Sequence, residues 1–117
     1  MNNTAFVNAI KLAVEESSTE GMKELLQSNK IPRENIRRMS AFYNSLNEGD
    51  QKVVQEIIKE SVSSAIFGFF CVLDGVRSIE NGPDKGSLEL KYKNATRNEE
   101  VLLNDFEEEF LHDLYND

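Results

Sequence analysis

Few side chains in this sequence have the chemistry of a reactive group, and Asp74 comes first among them. It follows eight apolar or small residues, Ile66 to Leu73, in the C-terminal half of an expected helix. The helix dipole disfavours an anion there. A carboxylate in such a place must be paired, or its pKa must rise. The functional reading makes it an acid, base or ligand in a pocket. The structural reading has it capping or pairing locally, for instance with Arg77 or with an arginine of the third helix. His112 is the only histidine, and Asp113 follows it. A His–Asp pair suits general base catalysis or a metal, but adjacent helical residues point about 100° apart and make no oriented dyad. Cys71, the only cysteine, lies among Phe69, Phe70, Val72 and Leu73, which points to an inert core thiol. Without a second histidine no zinc ligand set emerges. Asp74 and His112 are therefore the candidate buried polar site, with no catalytic residue, metal or cofactor expected. An enzyme built on them requires both in one cleft.

Charge supplies the other candidate. The formal net charge is −8. Residues 1–79 hold nine Lys/Arg against ten Asp/Glu, whereas residues 80–117 hold four against eleven. The excess sits in the last third, and the expected interaction surface is Glu99, Glu100, Asp105, Glu107, Glu108, Glu109 and Asp113. Such a field repels a nucleic-acid backbone and attracts basic partners. Arg33, Arg37 and Arg38 cluster on the third helix, but without a Gly-rich loop they are as well suited to pairing with acidic residues as to holding an anion.

The elements that must position these groups follow from periodicity. Residues 4–16 place Phe6, Val7, Ile10, Ala13 and Val14 at helical spacing. Ser17 to Glu20 has the form of a capping box that starts a second helix burying Met22, Leu25 and Leu26. That helix stops near Ser28–Asn29, because Pro32 disfavours helical geometry in Ile31. Pro32 suits the first turn of a third helix with a stripe of Ile36, Met39, Phe42, Tyr43 and Leu46. Asn47, with Asp50 three residues on, starts a central helix. Its first part is amphipathic, with Val53, Val54, Ile57, Ile58 and Val62 facing in, and from Ala65 to Leu73 protein is expected on every side. The helix extends toward Ile79, with a kink or break expected near Ser61–Ser64 or at Gly75.

Asn81 to Gly86 is a cluster of turn formers. After it Leu88, Leu90 and Tyr92 alternate with charged residues as a strand, and residues 99–103 complete a hairpin. Asn104 or Asp105 then caps a final helix presenting Phe106, Phe110, Leu111, Leu114 and Tyr115. The expected fold is mainly α (α+β), one domain of 117 residues around a long apolar central helix, with one β-hairpin and a C-terminal helix.

The stretch Phe69-Phe-Cys-Val-Leu-Asp74-Gly-Val76, followed by the hairpin and by Leu111-His-Asp-Leu-Tyr-Asn116, resembles a family of small uncharacterised bacterial proteins, a domain of unknown function. The likeness covers about the second half of the chain and implies a bacterial cytoplasmic setting, with no functional residue attached. The apolar run is too short to cross a bilayer, and the first residues lack a secretory pattern. Together these features predict a small acidic cytoplasmic protein-binding module, of an immunity or antitoxin type that neutralises a basic toxin. A homodimeric adaptor is the alternative. Neither nucleic acid nor membrane is an expected partner.

Overall fold

Along the described residues of the computed structural model, 1–28 and 33–117, the chain is mainly helical. It forms α1 (Asn3–Ile10), a π-helical turn (Lys11–Glu16), α2 (Ser17–Gln27), α3 (Glu34–Ser45) and α4 (Glu48–Leu73). A two-stranded antiparallel hairpin of β1 (Lys91–Asn94) and β2 (Glu99–Leu102) follows, then a short α5 (Leu111–Asn116). Two compact units emerge: one contains Met1–Leu12 and Ala65–Asp117, the other Ala13–Ser64.

In the unit of residues 13–64 the expected capping box is not used. Glu16 already has helical dihedrals, φ −65° and ψ −44°, and α2 continues straight from the π turn. Nothing between residues 3 and 20 is glycine or proline, so no backbone signal interrupts the winding. The wider π winding instead changes which side chains face inward. Val14 is exposed, while Glu15 is half-buried and accepts a hydrogen bond from Ser63 Oγ. In α2, Leu26 is buried, but Met22 is only half-buried and Leu25 is exposed. The helix stops at Gln27, beside the expected end; the roles read for Asn29, Ile31 and Pro32 lie outside the described residues.

The buried face of α3 is also rotated from the expected stripe. It consists of Ile36, Ser40 and Tyr43, whereas Met39 and Phe42 are exposed. Hydrogen bonding explains the inclusion of a serine. Ser40 Oγ lies 2.8 Å from the Leu26 carbonyl and 2.9 Å from that of Ser28, and Asn44 Nδ2 donates to Leu26 at 3.0 Å. These polar groups satisfy carbonyls that the end of α2 leaves without helical partners. Tyr43 is then fixed by α4: Gln51 Nε2 donates to its carbonyl at 3.0 Å and Gln55 Nε2 to its hydroxyl at 2.7 Å.

Asn47 starts α4 as expected, its Oδ1 accepting from Asp50 N at 2.8 Å while its Nδ2 reaches the Asp50 carboxylate at 3.2 Å. The helix then runs unbroken through Ser61–Ser64 for 26 residues, about 39 Å at 1.5 Å per residue. Val54, Ile58 and Val62 are half-buried, but Val53 and Ile57 are exposed. Within Ala65 to Leu73 the surround is incomplete, since Phe69 is 62% exposed. The end comes before Ile79. Gly75 takes φ +77°, Val76 N donates to Cys71 O at 3.0 Å, and Gly75 N donates to Val72 O at 3.1 Å. That pattern is a Schellman motif with glycine at the left-handed position.

The core of the unit of residues 1–12 and 65–117 is Val7, Phe70, Leu73, Leu111 and Tyr115, with Leu90 of the hairpin stem packed against it. Phe70 meets Phe6 and Tyr115 edge-on at centroid distances of 6.1 and 5.5 Å. The hairpin pairs Lys91 with Leu102 and Asn94 with Glu99. Strand geometry begins later than the alternation suggested, leaving Leu88 exposed. The final helix is shorter than expected, and neither Asn104 nor Asp105 caps it. Asp105 closes a local turn, its Oδ1 accepting from Glu107 N at 3.0 Å. Asn104 is buried: Nδ2 donates to Leu73 O at 2.7 Å and Leu88 O at 2.9 Å, and Oδ1 accepts from Leu90 N at 2.8 Å. One amide thus ties the last turn of α4 to the hairpin stem.

Candidate functional site

Asp74 occupies the residue that ends α4, held there by the Schellman turn and by its own N–H bonded to Phe70 O at 2.8 Å. It is only 3% exposed. Its partners are on α5, not Arg77. Oδ1 accepts from Leu111 N at 3.1 Å, Oδ2 accepts from His112 N at 2.8 Å, and the same Oδ2 lies 2.6 Å from His112 Nδ1. The residue before α5, Phe110, has no capping side chain. A carboxylate brought from 37 positions away therefore satisfies the first N–H groups of that helix. An ionised carboxylate can only accept, which matches it to the His112 tautomer protonated at Nδ1.

The imidazole is packed between two rings, Phe67 at 5.8 Å and 81°, and Phe110 at 5.6 Å and 32°. Its side chain is 16% exposed, and Nε2 lies 3.4 Å from Asp113 Oδ1. Adjacent placement on the helix thus does allow a loose His112–Asp113 approach, because the exposed Asp113 side chain folds toward the ring. A carboxylate that orients an imidazole through Nδ1 is the arrangement of a general base. The chain brings the two predicted residues together, but neither lines the hollow beside the end of α4 or those along α2 near Thr19 and Lys59. Cys71 is buried three positions before Asp74, and no group of three or more His, Cys, Asp or Glu among the described residues could hold a metal ion. Hydrogen bonding makes Asp74 first of all a cap for α5.

The seven acidic residues expected at the surface separate into two kinds. Glu99 is engaged: it accepts from the Met1 ammonium and pairs with Arg97 at 3.2 Å. The hydrogen bond from that ammonium holds the Glu99 carboxyl below the usual carboxylate range against the opposing effect of desolvation, and the charges of the ammonium and of Arg97 add to it. Asp105 closes its turn and Asp113 approaches His112. Glu100, Glu107, Glu108 and Glu109 are exposed and hold no ion pair among the described residues. The turns after β2 present the last three in a row. Arg33, just before α3, and Arg37 and Arg38 on it are likewise exposed, in the unit of residues 13–64.

Two features lay beyond sequence reasoning. Asn104 looked like a helix start because a polar residue followed Leu102 and Leu103, and only its burial reveals the bridge. Arg77 folds back so that its guanidinium rests on Gly68, where a Cβ would lie 2.4 Å from Nη1. The glycine makes room for that side chain. Comparison with protein-family models, curated proteins and solved structures returned no match, so no functional residue is carried to this chain from a relative.

Proposed function

We propose that this chain is a small protein-binding module whose exposed carboxylates, Glu107, Glu108 and Glu109 with Glu100, engage a basic protein partner. An immunity or antitoxin-type role, neutralising a basic toxin in a bacterial cytoplasm, is the reading that fits such a module best. One observation carries it. The unit of residues 1–12 and 65–117 holds six Lys/Arg against twelve Asp/Glu, and its glutamate run is spent on no internal ion pair among the described residues. Unpaired carboxylates on one segment steer a cationic surface and speed its encounter, and their effect weakens with salt. Among the described residues no helix is long and apolar enough to cross a membrane.

The test is affinity capture on the immobilised chain, beside a variant with Glu107, Glu108 and Glu109 each replaced by lysine. A basic protein should be retained by the parent at low salt, released at high salt, and lost from the variant. Retention that ignores both salt and the charge reversal would sink the proposal. Light scattering on the same material reports the alternative: a homodimer joined through the open edges of the hairpin would show a doubled mass.

A further inference from the structure

The hairpin has only two strands, so each keeps one edge without a strand neighbour, and the pairing register tells which backbone groups stand on it. Lys91 lies opposite Leu102, which places Leu90 opposite Leu103, and Leu103 N donates to Leu90 O at 2.8 Å. Hydrogen-bonded pairs alternate along an antiparallel ladder. The bonded pairs are therefore Tyr92 with Val101 and Asn94 with Glu99, while the N–H and C=O of Glu100 and Leu102 point away from β1. No turn, loop or side-chain hydrogen bond from another described residue reaches those groups. The side chains of Glu100 and Leu102 share one face of the hairpin with Lys91 and Lys93. Glu100 is exposed and forms no ion pair among the described residues, even though Lys93 is its cross-strand neighbour. The two edges differ in charge. β1 carries Lys91 and Lys93, both exposed, and lysines in such places guard an edge. β2 offers one carboxylate and one aliphatic side chain beside its outward backbone groups.

We infer that β2 accepts an extended segment of the basic partner as a third, antiparallel strand. A lysine or arginine of that segment lies opposite Glu100 and, two positions earlier in it, an aliphatic residue lies opposite Leu102. Main-chain bonds supply the affinity of such an added strand, and the side chains directly opposite supply its selection. The earlier part of the segment runs past the end of β2, where the chain carries Glu107, Glu108 and Glu109 within seven residues of Leu102. A basic strand is turned away from β1, whose lysines have its own sign. A second copy fits the β2 edge poorly. Two β2 strands side by side gather Glu99 and Glu100 of both copies, and β2 against a copy's β1 is a head-to-tail contact that leaves a free edge at each end. The inference rests on the reading of these carboxylates as the surface for a basic partner, and adds the form in which that partner is presented.

Amide hydrogen exchange and NMR titration of the full chain test this with three end-blocked peptides at low salt. The first is Lys-Lys-Thr-Val-Thr-Lys-Thr. The second is the same peptide N-methylated at valine and at the lysine two places after it, and the third has that lysine replaced by glutamate. In the free chain the Glu100 and Leu102 amides should exchange faster than those of Glu99 and Val101, which the ladder holds. The first peptide should slow both and shift them saturably. The second keeps its charge but cannot donate to the edge, and it should bind about tenfold more weakly, as should the third. Glu100→Gln, at an exposed position without an ion pair among the described residues, should weaken the first peptide about threefold. Slow exchange of Glu100 and Leu102 in the free chain, whether from a covered edge or a second copy, overturns the inference. So does equal binding of the first two peptides, or no saturable shift with the first. If a basic protein is still captured by the parent and lost from the triple lysine variant, those results remove the added strand alone; without that capture the reading beneath it falls as well.

Discussion

Asp74 accepts three hydrogen bonds from two consecutive residues of α5, and the cost of losing it depends on what those donors are left facing. In Asp74→Asn the amide offers an N–H toward groups that are themselves donors, so at least one buried donor goes unsatisfied. Urea unfolding should show a loss of about 2–4 kcal/mol. His112→Gln removes one donor and the ring between Phe67 and Phe110 but leaves the backbone cap intact, so it should cost about 1–2 kcal/mol. A larger loss for His112→Gln than for Asp74→Asn would contradict the capping account. The sequence showed that Asp74 is buried and must be satisfied, because its apolar neighbours and helical position are local facts. It did not show the partner. A cap supplied across 37 residues leaves no trace in spacing, and of the two phenylalanines that enclose His112 one, Phe67, is distant in the chain.

At the scale of elements, α4 depends on two glycines for opposite reasons. Gly75 sits at φ +77°, where a Cβ strains the backbone, so Gly75→Ala should destabilise by about 1–2 kcal/mol. Gly68 has helical geometry, and what a Cβ would meet is the far end of the Arg77 side chain, which can move. Gly68→Ala regains about 1 kcal/mol of helix propensity while displacing a guanidinium. The net change in unfolding free energy should stay within about 1 kcal/mol of zero. A Gly68→Ala loss as large as that of Gly75→Ala would mean that the guanidinium seat is structurally required. Element type and order followed from periodicity and turn chemistry: the helices, the Asn47 start, a break at Gly75 as one of two expected places, and the hairpin are all local signals. The faces were harder. Ser40 replaced Met39 and Phe42 on the inner side of α3 because the end of α2 needed donors, and the π turn brought Glu15 inward in place of Val14. Both are demands made by a neighbouring element.

For the whole molecule the net charge of −8 is the governing quantity, with −6 of it on residues 1–12 and 65–117. Like charges held on one unit repel, and added salt relieves the repulsion. The thermal midpoint should therefore rise when sodium chloride is increased from a few millimolar to about 150 mM, where the screening length is near 8 Å. A midpoint that falls over that range would mean that ion pairs such as Arg97–Glu99 outweigh the repulsion. The make-up of that same unit also sets an order of events during synthesis. Val7 belongs to one core with Leu111 and Tyr115, yet it leaves the ribosome roughly a hundred residues earlier, a delay of about 5–20 s at ordinary elongation rates. Residues 13–64 all emerge within that interval, and the apolar side of α1, with Phe6, Val7 and Ile10, gains Phe70 and Leu73 before Leu111 and Tyr115 complete its cover. A message cut short before Leu111 would release a chain whose α1 keeps Phe70 and Leu73 but lacks Leu111 and Tyr115, leaving part of that core open.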